Sequence, residues 1–246
     1  MSKQFEAVVK KIKGLRTEIF RASSSFRAFE VIQEMRAPNI IGRTEASRNA
    51  SAMGDFKGFF NIAEHSMNTE FLVALAKLYD EHPDGTSIPK LLKYVRGNIK
   101  HLKLADFVEH NKDRPDIDER KLDYVGITLH DIDEIEADIA KQAPQIKKLK
   151  DLRDKRISHL EMKNLEELQD ESTPKDLKQS TTKIEDLKYG EINTLITLAD
   201  DMLNKISSLI NRDIAYFVPL KETVTHDSEE LIKAVRAIYD SIPSGS

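Results

Sequence analysis

Apolar residues return every three or four positions along most of this chain, and that rhythm limits the fold to packed helices. It is clearest in Ile192, Leu195, Ile196, Ala199, Met202, Leu203, Ile206, Leu209, Ile210 and Ile214. The same spacing runs through 5–35, from Phe5, Val8 and Ile12 to Ile32 and Met35. It also runs through 56–79, with Phe59, Phe60, Ile62, Ala63, Met67, Phe71, Leu72, Leu75 and Leu78. No segment alternates strictly over the length of a strand. The expectation is an all-α bundle of four or more long helices, folded as a single domain over 1–246.

Breaks in the rhythm divide the helices. Ala37-Pro38-Asn39 ends the first, because proline disfavours helix at the residue before it. A polar stretch, 43–54, separates it from the second. Pro83-Asp84-Gly85 is a turn signal, and Ser87-Ile88-Pro89 starts a shorter helix through Tyr94 and Val95. Shorter helices are expected near 102–110 and 129–142, with a loop at Arg114-Pro115-Asp116. Pro144 interrupts or restarts the chain ahead of a helix over 146–161. The polar segment 161–188 reads as a loop or weakly ordered arm. Phe217-Val218-Pro219 is expected to stop the 192–214 helix. A final short helix fits 228–239, with Asp227 or Ser228 as its N-cap.

Composition narrows the chemistry. The 246 residues include no cysteine, which removes disulfides, thiolate metal sites and a cysteine nucleophile. A net charge of −4 rules out a uniformly basic nucleic-acid coat, though not a local basic patch. Only 9 glycines and 8 prolines are present, too few for many short strands and turns. The longest apolar run is 71–76, far short of the roughly 20 residues that span a bilayer. The early charges Lys3, Glu6, Lys10 and Lys11 leave no room for a leader's apolar stretch. A soluble cytoplasmic protein with no membrane partner is the expectation.

Several familiar sites are missing. There is no glycine-rich phosphate loop and no His-Glu-x-x-His, and no histidine has a glutamate three positions before it. Asp131, Asp133, Glu134, Glu136 and Asp138 lack calcium-loop spacing and read as a solvated acidic helix face. His130 and Glu134 read as an exposed i, i+4 pair. No metal site and no cofactor is expected.

One stretch stands apart: Ile146-Lys-Lys-Leu-Lys-Asp-Leu-Arg-Asp-Lys-Arg-Ile-Ser-His159-Leu160-Glu161. Positions 147–156 carry six basic and two acidic residues, a local charge of +4. Leu149, Leu152, Ile157 and Leu160 form an apolar seam, which leaves a cationic strip to contact phosphates through Lys150, Lys155 and Arg156. Arginine and histidine together are enough to cleave RNA without a metal. The ribose 2′-hydroxyl attacks, an imidazole moves the proton, and a guanidinium steadies the charge on phosphorus. DNA, lacking that hydroxyl, would be spared. Arg153 and His159 are six apart, about 120° out of alignment on a helix, whereas Arg156 and His159 share a face. Arg153 therefore needs its long arm, a helix irregularity or a second subunit. An ordinary cationic helix face with a flanking histidine is the plain alternative.

Leu152-Arg153-Asp154-Lys155-Arg156-Ile157-Ser158-His159 resembles the signature of the HEPN superfamily: arginine, a polar residue, a short spacer, then histidine. Phe59-Phe60, Leu75 to Asp80 and Ser87 to Leu92 resemble its abortive-infection branch. The resemblance covers roughly 56–95 and 146–217 as a core, leaving the first helix and 98–145 as additions. It implies a HEPN-like bundle with extra N-terminal and connecting helices, forming a homodimer whose two motifs face each other. The implied activity is a metal-independent endoribonuclease of toxin or phage-defence type. His159 would be the acid/base, Arg153 the phosphate ligand and Asp154 the group that orients them. RNA is the implied substrate, and an antitoxin or regulatory protein a possible partner. Some HEPN toxins carry a tyrosine two positions after the histidine. Here Glu161 stands there, which argues against AMP modification. The alternative is a non-catalytic HEPN-like module that binds RNA or protein.

Overall fold

A computed structural model describes residues 3–82, 85–167, 187–213 and 218–241, with side chains described except at 156–167 and 218–221. The elements in chain order are α1 (Lys3–Glu34), α2 (Pro38–Ile41), α3 (Arg43–Asp55), α4 (Lys57–Leu78) and α5 (Ile88–Asn98). A 3-10 turn (Ile99–His101) leads to α6 (Leu104–His110), α7 (Ile117–Arg120), α8 (Leu129–Lys141), α9 (Ala143–Glu167), α10 (Tyr189–Asn211) and α11 (Val218–Ser241). There is no strand among the described residues, so the chain is all-α.

The chain divides into two compact units, each assembled from separate segments. The first holds Met1–Ile19 and Leu72–Ala215. Its core is built where the three-four rhythm is strongest. Along α10, Ile192, Leu195, Ala199, Leu203, Ile206 and Ile210 are fully buried. Phe5, Val8, Leu15 and Ile19 of α1, Leu91, Leu92 and Val95 of α5, and Ile132 and Ile135 of α8 are buried as well. Burying one such side chain is worth roughly 1.5–3 kcal/mol, set against the conformational entropy of ordering it. Tyr79, 1% exposed, donates its hydroxyl proton to the Leu195 carbonyl at 2.5 Å. This bond ties the chain just past the end of α4 to α10.

Local chemistry sets the helix starts in this unit. Ser87 Oγ accepts from the Lys90 amide at 3.4 Å to open α5, with Pro89 in its first turn. Thr128 and Asp131 form a reciprocal capping box that opens α8. Pro144 falls in the first turn of α9, where a missing N–H costs nothing, so it starts that helix. The helix continues past 161 to Glu167, so the first part of the expected polar arm is helical. Residues 168–186 of that arm lie outside the described residues, as do Ile214 and Phe217. The α10 helix stops at Asn211 through Arg212, whose left-handed φ of 56° closes it with an N–H to the Ser208 carbonyl.

The second unit holds Phe20–Phe71 and Tyr216–Ser246. Its core gathers Val31, Ile32, Met53, Phe60 and Ile232. Phe26 meets Phe71 edge-on, with ring centroids 5.2 Å apart.

Three expectations are corrected in this unit. The polar stretch 43–54 is helix α3, burying Ala46, Asn49, Ala52 and Met53 at helical spacing. Its inner face is mostly small side chains, so it carries little hydrophobic signal, and Asn49 donates to the Met35 carbonyl at 2.8 Å. The last helix is not short. It begins at Val218, with Pro219 in its first turn, so Val218-Pro219 begins a helix here and Asp227 and Ser228 are interior, not caps. It packs on α3, where Arg236 donates to Glu45 and Arg48 meets Asp240 at 2.7 Å. Finally, Phe59 and Ile62 of the α4 stripe are 57% and 69% exposed, so the buried face is narrower than the apolar pattern.

Candidate active site

The first unit carries the cationic helix. On α9, Ile146 and Leu149 are buried, which fixes the helix's rotation. Lys150, Arg153 and Asp154 then stand together on its flank, three and four residues apart.

Arg153 is held by two carboxylates. Its Nε donates to Asp154 Oδ1 at 2.8 Å, and its Nη2 lies 2.8 Å from the same oxygen. Its Nη1 donates to Asp80 Oδ2 at 2.9 Å. The arginine side chain is 20% exposed, whereas Asp154 is 63% exposed. A guanidinium has five N–H groups. With three directed at carboxylates, one on each Nη is without a partner among the described residues. These two N–H groups are available to phosphate oxygens.

Asp80 was not among the residues singled out for chemistry in the sequence. It stands two residues past the end of α4, and the His82 amide donates to its Oδ1 at 3.2 Å, fixing the carboxylate from behind. Partial burial pushes its pKa up. The Arg153 hydrogen bond, the His82 amide and the charges of Arg153 and Lys150 outweigh that and hold it below the ordinary carboxylate value. Burial likewise works against the charge on Arg153, and the two carboxylates more than restore it. Asp80 is therefore an anion and Arg153 a cation throughout the neutral range. In the sequence Asp80 closes Leu75 to Asp80, a segment that resembles the abortive-infection branch, but that resemblance assigned it no chemistry.

The remaining candidates are placed unevenly. Lys150 is half-buried close to Asp80, and Lys155 is exposed. Arg156 and His159 lie on α9, but their side chains are outside the described residues. The backbone is helical from Ala143 to Glu167, so no irregularity realigns 153 with 159. The two positions stand about 120° apart around the axis.

The acidic face of α8 has specific partners. Arg96 meets Asp133 at 2.6 Å and Glu136 at 2.8 Å, Lys205 meets Glu134 at 2.7 Å, and Lys141 meets Asp138 at 2.7 Å. His130 Nε2 lies 3.3 Å from Glu134 Oε1 as an exposed pair. His110 packs its ring against Phe5 at 5.1 Å. Among the described residues, no helix is long and apolar enough to cross a membrane.

No curated protein and no solved structure matches the chain. The model of the family described as AbiU2, of HEPN type, matches residues 5–239. That span takes in α1 and the segment 98–145, which the sequence resemblance had left as additions. Helix α9, with Arg153 and Asp154 in contact, lies inside it. The protein belongs to the AbiU2 family, a HEPN-type abortive-infection family.

Proposed function

We propose that the protein is a metal-independent endoribonuclease of toxin or phage-defence type, acting at Arg153, Asp154 and His159. The observation that carries this reading is the Arg153 guanidinium, clamped between Asp80 and Asp154 with two N–H groups to spare. A pre-oriented cation of that kind costs little to reorganise as charge builds on a phosphate.

In the proposed reaction the ribose O2′ gives its proton to a base and bonds to phosphorus. The P–O5′ bond breaks and the leaving oxygen takes a proton. The products are a 2′,3′-cyclic phosphate and a 5′-hydroxyl. His159 supplies or removes a proton, Arg153 binds the non-bridging oxygens, and Lys150, Lys155 and Arg156 hold flanking phosphates. The 120° offset within one helix favours a composite site in a homodimer, Arg153 from one copy working with His159 from the other. Incubating single-stranded RNA with the protein in excess EDTA tests the reaction. Cyclic-phosphate ends support it. Intact RNA, with the protein folded and dimeric, contradicts it.

The same clamp also supports a second reading, a non-catalytic module that binds RNA or a regulatory protein, because three of the arginine's donors are already engaged. That reading predicts salt-sensitive RNA binding with no cleavage, unchanged in His159→Ala.

A further inference from the structure

A cavity of about 550 Å³ opens beside Arg153, within the same unit. Typical small-ligand sites measure roughly 300–1,000 Å³, so it has room for a single nucleotide. It is lined by Tyr79 and Glu81, the two neighbours of Asp80 in the chain, and by Lys150, one helical turn before Arg153. The cavity thus lies next to the clamp, although Asp80, Arg153 and Asp154 are not among its lining residues.

Its lining sorts into three chemistries. Lys147 and Lys150 lie along one edge on α9 and form no ion pair among the described residues. They are available to phosphate. Pro89, Ile139 and Ile146 give an apolar surface for the flat face of a base. Glu81 and Glu136 supply carboxylates. Arg96 holds Glu136 at 2.8 Å, whereas Glu81 has no ion pair among the described residues.

We infer that this cavity is a nucleotide subsite selecting the base next to the cleaved phosphate, with guanine preferred and uracil disfavoured. The inference rests on the endoribonuclease reading for the position of the cut. Guanine presents two adjacent donors, N1–H and the N2 amino group, which one carboxylate accepts together. Uracil presents a single N3–H between two carbonyl oxygens, which two carboxylates repel. Adenine and cytosine, each with one amino donor beside an acceptor nitrogen, fall between. Glu81 is the reader, Glu136 reinforces the negative field, and Lys147 and Lys150 bind the nucleotide's flanking phosphate, leaving the cleaved one to Arg153.

The test is calorimetric titration of the full chain with 3′-GMP and 3′-UMP, for wild type, Glu81→Ala and Lys147→Ala/Lys150→Ala. Glu81 is exposed and outside the helices, and circular dichroism checks that each variant keeps its fold. Wild type should bind 3′-GMP roughly tenfold more tightly than 3′-UMP, the scale of one bidentate contact to a base. Glu81→Ala should bring that ratio close to one, and the double lysine variant should weaken both ligands. Equal binding of the two nucleotides, no binding of either, or a preference that survives Glu81→Ala overturns the subsite. Sequencing the cut ends of a randomised single-stranded RNA separates this from the nuclease reading. Cleavage with a flat base distribution removes the subsite and leaves the nuclease. Selective 3′-GMP binding without cleavage leaves the guanine site and removes the nuclease.

Discussion

Arg153 Nη1 donates to Asp80 Oδ2 at 2.9 Å, joining α9 to the second residue past the end of α4. Tyr79, the preceding residue, is tied in turn to the Leu195 carbonyl of α10. The guanidinium is thus anchored through Asp80 to a segment that Tyr79 ties to α10, so its orientation is not set by Asp154 alone.

Asp80 should act as a positioning residue. Asp80→Asn removes a negative anchor while keeping the side chain's shape. Cleavage is expected to fall about tenfold to a hundredfold in kcat, with a smaller change in KM, as for a catalytic group displaced by a fraction of an ångström. Single-turnover and steady-state kinetics check that split. Stability should show the charge as well. The carboxylate's folded pKa lies below its ordinary value, so its contribution is present above 3.8 and is lost as pH falls through the lowered value. Urea unfolding should therefore show Asp80→Asn less stable than wild type at neutral pH, with the gap closing in acid.

The composite site makes a prediction about mixtures. Arg153→Ala and His159→Ala should each be inactive alone. Mixed and allowed to exchange subunits, they form a heterodimer in which one copy supplies arginine and the other histidine. Activity should return to a fraction of wild type, measured by cleavage after co-refolding. An inert mixture of proven heterodimers would place both groups in one chain.

Tyr79→Phe keeps the ring, which is 1% exposed, and deletes the bond to the Leu195 carbonyl. The expected loss is about 1–2 kcal/mol, read as a lower urea midpoint at unchanged slope.

Asp200 offers a stability test remote from the clamp. Burial and then the neighbouring Asp201 push its pKa up to about 6, against smaller opposing pulls from the Arg16 charge and a hydrogen bond with Asn204. Its Oδ1 is buried without a hydrogen-bond partner among the described residues. A carboxyl raised above its unfolded value supports the fold below 3.8 and loses that support as pH rises through about 6. Asp200→Asn should therefore stabilise the protein at pH 7.5, by about 1 kcal/mol once solvent screening of a half-exposed group is allowed for. No gain is expected at pH 4. Thermal unfolding at the two pH values checks the sign.

The long helices were legible because their apolar residues are large and regularly spaced. Along α10, nearly every residue in the predicted stripe is buried. Helix α3 was not, since alanines and Asn49 make its inner face and volume carries the periodic signal. The start of α11 was misread because proline both stops and starts helices, and only the fold shows on which side of Pro219 the helix lies. Arg153 and Asp154 were visible as neighbours in sequence. The role of Asp80 was not, because it lies 73 positions from Arg153 and the resemblance over Leu75 to Asp80 assigned it no chemistry. The cavity beside them was equally hidden, being assembled from four separate segments of the chain.

The central claim is chemical, and one measurement meets it most directly: the rate and end groups of cleavage of a mixed single-stranded RNA in EDTA by wild type and His159→Ala, both shown to be folded dimers. The account predicts 2′,3′-cyclic phosphate ends from wild type and a rate at least a hundredfold lower in the variant, about the least contribution expected of a general acid or base. Equal rates in the two proteins, or an activity that needs a divalent cation, would contradict it.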